Sequence, residues 1–305
     1  MCSSDLFPSH DTEAEPVGFS FATDLSEAFY VPVGHVNNNI DDVQGAKLLL
    51  KSVLKGRRLL FYNKRYDLRI LERCYGVDTS QFSHFDIQLL VWLMDTNISM
   101  PSLKWAEDHF LGWSAVTYED LVGSRSIALL DPEEVTTYAA TDALGTLHLA
   151  RKLSPFSKDF RFIYLLDNRA LDVVKKVEET LIRVDRPYLE SLIPLFDYEI
   201  QRLRELVYQL SGRYFVIDSP AQCSQVLVEN GCSSGELTTQ NKVSTSKKAL
   251  ARVKHPLVQA ILEYRTVSRN KASYVEKILV ESQKKGGGVR CNHLTFRVPT
   301  GRYAT

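Results

Sequence analysis

Tyr138 and Asp142 stand four residues apart in Tyr138-Ala-Ala-Thr-Asp142, and upstream, behind an apolar run, lies Asn63-Lys-Arg-Tyr-Asp67. An i, i+4 spacing stacks a phenol and a carboxylate on one helix face, where both can address the same phosphate. Hydrolysis of a phosphodiester needs a water made nucleophilic and a leaving oxygen stabilised, work that two metal ions about 4 Å apart do together. Hard divalent ions such as Mg2+ prefer carboxylate oxygens and keep some of their waters. Asp67 and Asp142, on separate elements with Tyr138 beside one of them, therefore predict metal-dependent nuclease chemistry.

Such side chains need elements to hold them. Val17-Gly-Phe-Ser-Phe-Ala22 and Ala28-Phe-Tyr-Val-Pro-Val33, parted by a polar turn, predict a β-hairpin. A helix is expected from about Asp42 to Lys55, then a short buried strand, Arg58-Leu-Leu-Phe-Tyr62. Leu68, Ile70 and Leu71 predict a helix from Lys64 to Tyr75, with Gly76 placed to end it. Strands followed by helices dominate to about residue 155. Beyond that point the apolar spacing of three and four predicts helices over Arg161–Ile182, Pro187–Leu210, Pro220–Glu229 and Pro256–Glu281. The change of architecture near 155–165 marks the expected domain boundary. A closing Gly286–Phe296 stretch reads as a turn into a strand.

Composition sets the outer limits. With 305 residues, 44% hydrophobic and 24% charged, the chain is long enough for two domains of ordinary globular make-up. No run approaches about 18 uninterrupted apolar residues and no charged-then-apolar leader opens the sequence, so neither a membrane span nor a signal peptide is expected, and the expected compartment is the cytoplasm. Cys2, Cys74, Cys223, Cys232 and Cys291 are odd in number and scattered without CxxC spacing, which argues against a disulfide framework or a zinc site. The zero net charge hides an asymmetry: residues 1–240 carry 23 Lys and Arg against 34 Asp and Glu, and residues 241–305 carry 14 against 3. The basic segment, with Lys242, Lys247, Lys248, Arg252, Lys254, Arg265, Arg269, Lys271 and Lys277, reads as a phosphate-contacting surface or as a solvated helix face. Charge alone does not decide between the two.

At these motifs the first half resembles the proofreading 3′–5′ exonuclease domain of bacterial family A DNA polymerases. Phe61-Tyr-Asn63-Lys-Arg-Tyr-Asp67 is similar to that family's second exonuclease motif and Tyr138-Ala-Ala-Thr-Asp142 to its third. Asp86–Asp95 and Ser102–Gly112 look like the intervening helices. The second half resembles the start of the polymerase domain, the thumb, through Phe215-Val-Ile-Asp-Ser-Pro-Ala-Gln222, Glu263-Tyr-Arg265, Lys271-Ala-Ser-Tyr-Val275 and Thr300-Gly-Arg302. The resemblance implies an α/β ribonuclease H-like exonuclease domain over 1–160, a mixed sheet flanked by helices, followed over 161–305 by a mainly helical thumb. It also implies the roles: Asp142 ligates the metal that carries the attacking water, Asp67 supports a second Mg2+, Tyr138 orients the water, and Asn63 positions the motif and its substrate. On the thumb side, Lys271, Ser273 and Tyr274 would lie against the DNA backbone and Arg302 near the minor groove of a primer-template duplex, contacts that position DNA without reading its sequence. The implied partners are single-stranded 3′ ends and primer-template DNA, the implied processes DNA replication and repair, and the implied state a monomer.

The family's first motif, Asp-x-Glu on an opening apolar strand, has a decoy here in Asp11-Thr-Glu13. Only Ala14-Glu-Pro16 separates Glu13 from Val17, and Pro8-Ser-His10 is no buried strand, so the segment matches a loop better than the motif. Cys2-Ser-Ser-Asp-Leu6 is also what the adapter end TGC TCT TCC GAT CT would encode, and the chain is therefore expected to be an N-terminally truncated piece. The nucleotidyl-transfer carboxylates of the family lie beyond Thr-Gly-Arg, so polymerase chemistry is expected in the parent enzyme and weak or absent exonuclease activity here. Thr141 stands where the family has an acidic residue, and Val298–Ala304 varies the family's closing run. Two alternatives are a free-standing RNase D-like exonuclease and a catalytically inactive DNA-binding module.

Overall fold

A computed structural model of the chain describes residues 15–114, 116–238, 243–284 and 286–304; Cys2, Asp11, Glu13 and Lys242 lie outside the described residues. The described residues form two compact units, one running through Thr180 and resuming at Cys291, the other Leu181–Arg290.

The first unit begins with the expected hairpin, β1 (Gly18–Ala22) antiparallel to β2 (Ala28–Pro32), with Phe19 opposite Val31. Asp42 starts α1 (Val43–Leu54) by accepting the Gly45 N–H at 2.7 Å. After β3 (Arg58–Phe61), Asn63 turns the chain with φ of 65°, a left-handed conformation that Asn tolerates better than most residues. The turn delivers α2 (Lys64–Tyr75), which ends as expected at Gly76, φ 58°, whose N–H reaches the Leu71 carbonyl. β4 (Ser83–Asp86) runs parallel to β3 with Asp86 opposite Phe61, and feeds α3 (Ile87–Met94). Then come α4 (Leu103–Ala106), continued by a π-turn over Glu107–Leu111, α5 (Tyr118–Val122), the long α6 (Pro132–Leu153) and α7 (Arg161–Glu179). Helix α6 packs across β1, β2 and β3 and against α3.

The single mixed sheet expected from the resemblance is not formed among the described residues; β1–β2 and β3–β4 are separate two-stranded sheets. Residues of both pairs, Phe19 and Phe21 of β1 and Leu59 of β3, line one cleft of about 710 Å3 together with Leu50 and Ala143 among others. In space the chain also does not divide at residue 160. Asn168 of α7 accepts the Asp86 N–H at 2.9 Å and donates to the His84 carbonyl at 3.0 Å, while buried Lys64 pairs with Asp172 at 2.7 Å. These bonds tie α7 to α2 and β4. The last residues join the same unit: Arg65 donates to Thr295 Oγ1 at 3.1 Å and the Trp92 and Phe296 rings lie 5.6 Å apart.

The second unit is helical as expected: α8 (Arg186–Ser211), α9 (Pro220–Glu229), α10 (Lys247–Leu250), α11 (Pro256–Asn270) and α12 (Lys277–Lys284). Pro220 and Pro256 open their helices, where a missing N–H costs nothing. Leu203 and Val207 of α8 meet Val226, Leu227, Leu257 and Ile261 in one buried cluster. Two details depart from the sequence pattern. A π-turn over Lys271–Glu276 interrupts the helix expected from Pro256 to Glu281, and Ile182–Arg183 is not the end of a helix but β5, antiparallel to β6 (Gly288–Val289). Cys74, Cys223, Cys232 and Cys291 are free thiols, and among the described residues no helix is long and apolar enough to cross a membrane.

Helix α6 depends on its cap. Asp131 accepts the Glu133 N–H at 3.0 Å and the Asn38 amide at 2.7 Å, and these two bonds, the backbone one first, hold its carboxyl below the ordinary 3.8. A depressed folded value means the stabilisation is present above 3.8 and is lost as pH falls through the lower folded value. Asp131→Asn is therefore expected to remove one component of acid sensitivity below that pH, seen as a flatter acid limb in circular-dichroism titrations against the wild type.

Candidate active site

Helix α6 buries Tyr138 and Asp142, which are 5% and 2% exposed. One lysine demonstrates that they share a face. Lys104 of α4 bonds the Asp142 carboxylate and sits 4.7 Å from the centre of the Tyr138 ring. Its Nζ also reaches Glu107, one turn further on, at 3.3 Å. Burial works against the charge on Lys104, yet Asp142 and then Glu107 outweigh it and hold the ammonium above the usual lysine range. Glu107 is fully buried, and its place depends on Gly145, because a Cβ there would collide with Glu107 Oε1. A mid-helix glycine costs about 1 kcal/mol relative to alanine; in α6 it makes room for a second carboxylate beside Asp142.

Asp67 lies in the first turn of α2 and is 3% exposed. A carboxylate near a helix N-terminus is favoured by the helix dipole. Its neighbours Tyr66, Leu68 and Leu71 belong to the same buried cluster as Val135, Tyr138 and Ala139 of α6, so the two helices share one core. Asn63 precedes α2 half-buried, and its side chain makes no capping bond. That task falls to Asp86, whose two oxygens accept the Lys64 N–H at 2.8 Å and the Leu89 N–H at 2.9 Å. The parallel pair β3–β4 thereby launches two helices from one buried carboxylate, and one of them carries Asp67.

The chemistry of this donor set fits a hard cation. Asp142 and Glu107 converge on one positive charge, and their donors are carboxylate oxygens, the class that Mg2+ prefers. Among the described residues no three His, Cys, Asp or Glu side chains group as a ready-made metal cage.

The residues expected to meet DNA fall in both units. Lys271, Ser273 and Tyr274 lie on the π-turn of the second unit, with Ser273 exposed and Tyr274 65% exposed. Lys271 is turned to carboxylates, Asp197 at 2.7 Å and Glu276 at 3.0 Å, which raise its pKa. Also in that unit, Lys247, Arg265 and Arg269 line a recess of about 440 Å3 with Ser246 and Thr266. Arg302 is exposed and belongs to the first unit.

Residues 8–156 match the family described as 3'-5' exonuclease, and residues 186–305 match DNA polymerase family A. The chain belongs to the family A DNA polymerases. Within that family it is 29% identical to DNA polymerase I of Rhizobium leguminosarum over 97% of this chain and 31% of the relative. It is 24% identical to DNA polymerase I of Pseudomonas aeruginosa over 96% of this chain and 34% of the relative. The chain thus spans about a third of the length of these curated relatives. A solved structure described as the POL domain of Pol1 from M. smegmatis in complex with DNA primer-template and dNTP superposes with a TM-score of 0.66 at 20% identity, covering 90% of this chain and 45% of that one, a likeness of fold.

Lys104, Glu107 and Gly145 escape a reading of the carboxylate motifs. Their signals are present nonetheless: Lys104 and Glu107 are spaced i, i+3 on one short helix, and a glycine three residues after Asp142 inside a long helical pattern marks a close approach.

Proposed function

We propose that the chain is the part of a DNA polymerase I in which a 3′–5′ exonuclease domain leads into the thumb of the polymerase domain. The parent enzyme would be a cytoplasmic, monomeric nucleotidyltransferase that copies DNA in replication and repair and proofreads its own 3′ ends. The observation that carries this reading is the convergence of Asp142, Glu107 and the Tyr138 face on a single cationic position. A strand laid in the cleft between β1 and β3 would join both small sheets into the mixed sheet of a ribonuclease H-like domain.

In this mechanism Asp142 and Asp67 would hold Mg2+, and Asn63 would steady the start of the helix that bears Asp67. The chemistry that a metal bound there would supply is Lewis-acid stabilisation of the developing charge and a lowered pKa for water. The Tyr138 hydroxyl orients the attacking water toward the terminal phosphate. The burial of both carboxylates keeps bulk water from screening their charge. The test is magnesium-dependent shortening of 5′-labelled single-stranded DNA from its 3′ end. Slow shortening that EDTA stops supports the reading, and folded protein that neither shortens DNA nor binds a divalent ion overturns it. The hold of Lys104 on Asp142 is the one feature that favours the alternative, a module that binds DNA without cutting it, and the same assay separates the two.

On the thumb, Tyr274, Ser273 and Arg302 would meet the duplex backbone, and Lys271 would exchange Asp197 and Glu276 for a phosphate. Each phosphate contact contributes about 0.9 to the slope of log K against log salt. Lys271→Ala is expected to weaken binding of a primer-template duplex at all sequences and to reduce that slope by about one, measured by fluorescence anisotropy across a salt series.

A further inference from the structure

We infer that Lys104 is a tethered counter-ion of the nuclease site, occupying the cation position between Asp142 and Glu107 and yielding it when a divalent ion binds. The inference rests on the proposed nuclease reading and goes beyond it by naming the group against which the metal must compete.

Three observations place Lys104 there. Its ammonium bonds Asp142, the carboxylate assigned to the metal, and it reaches Glu107 at 3.3 Å, so two carboxylates share its charge. The same ammonium lies 4.7 Å from the centre of the Tyr138 ring, within the range over which an aromatic face attracts a cation. The lysine side chain is 15% exposed while Asp142 and Glu107 are almost wholly shielded, so the charge that balances them comes from within the protein. Two buried carboxylates with no cation between them would repel each other in a medium of low dielectric. A lysine solves this better than an arginine would, because its flexible stem lets a compact charge swing out toward solvent. The stem starts from α4, a single turn that passes into a π-turn, and the two carboxylates that meet the ammonium come from different elements, Asp142 from α6 and Glu107 from that π-turn. A divalent ion at Asp142 and an ammonium bonded to the same carboxylate would then exclude each other by charge.

The experiment uses Mn2+ as the probe of the cation position, read by electron paramagnetic resonance on the whole chain. Lys104→Gln keeps hydrogen bonds to both carboxylates without the charge, and is expected to bind Mn2+ about tenfold more tightly than the wild type, the scale of one charged hydrogen bond. Lys104→Arg retains the competitor and is expected to bind Mn2+ as weakly as the wild type. Equal affinity in wild type and Lys104→Gln overturns the inference and leaves the nuclease reading intact. Mn2+ bound by neither protein overturns both. A second measurement needs no variant: saturating Mg2+ is expected to make Lys104 of the wild-type chain several-fold more reactive to reductive methylation, read by mass spectrometry, and unchanged reactivity overturns the inference.

Discussion

Asp142→Ala is expected to lower magnesium-dependent 3′ trimming about a thousandfold, to the level of buffer, which corresponds to roughly 4 kcal/mol of lost transition-state stabilisation. The carboxylate lost is the one that Lys104 bonds, and its removal leaves Glu107 as the single carboxylate facing that ammonium. Asp67→Ala should have a comparable effect from the other helix. Tyr138→Phe keeps the packed ring and removes only the hydroxyl, and a loss of roughly a hundredfold is expected, the low end for a group that handles the proton of the attacking water. Because the two aspartates act as one unit, the double variant should be no slower than either single one, a strongly non-additive outcome. Trimming rates on 5′-labelled single-stranded DNA, resolved nucleotide by nucleotide, check all four. A wild-type rate that survives Asp142→Ala would place the cutting elsewhere.

Much of this was legible before any coordinates. The 2.0 and 3.6 periodicities place the hairpin, α2 with its Gly76 stop, the proline-started helix α9 and the proline start of α11 within a residue or two, because in each the local pattern and the tertiary packing favour the same answer. The spacing of Tyr138 and Asp142 likewise announced a shared face. What was not legible depends on contacts distant in sequence. Lys104 meets Asp142 38 residues away, and Lys64 meets Asp172 108 residues away. No window of periodicity contains either pair. The same holds for α7, whose apolar stripe reads as the start of a helical domain but whose Asn168 is bound to β4. The π-turn over Lys271–Glu276 is invisible for a different reason: it adds a residue to the turn without breaking the helical run, so composition does not change where it occurs. Basic character was plain at residue 271, but its present carboxylate partners, Asp197 above all, were not.

Asp86 illustrates the opposite error, a carboxylate that sequence treats as one more helix residue and that caps two helices at once. It is fully buried, and burial pushes its carboxyl above the ordinary range against the opposing pull of the Leu89 and Lys64 amides. Asp86→Ala leaves both amides, first-turn donors of two helices, without acceptors in a site water does not reach. Each such orphan costs about 1–3 kcal/mol, so a total loss of about 2–6 kcal/mol is expected, a large share of the 5–15 kcal/mol by which domains are typically stable. Asp86→Asn retains one acceptor oxygen and should lose about half as much. Urea unfolding checks this: the midpoint should fall in that order with an unchanged slope. The consequence reaches the site, because one freed amide belongs to Lys64, three residues before Asp67. A loosened first turn of α2 should therefore weaken Mn2+ binding in Asp86→Asn even at temperatures where the variant is fully folded. Unaltered affinity there would show that Asp67 takes no part in holding the ion, and would leave Asp86 a purely structural carboxylate.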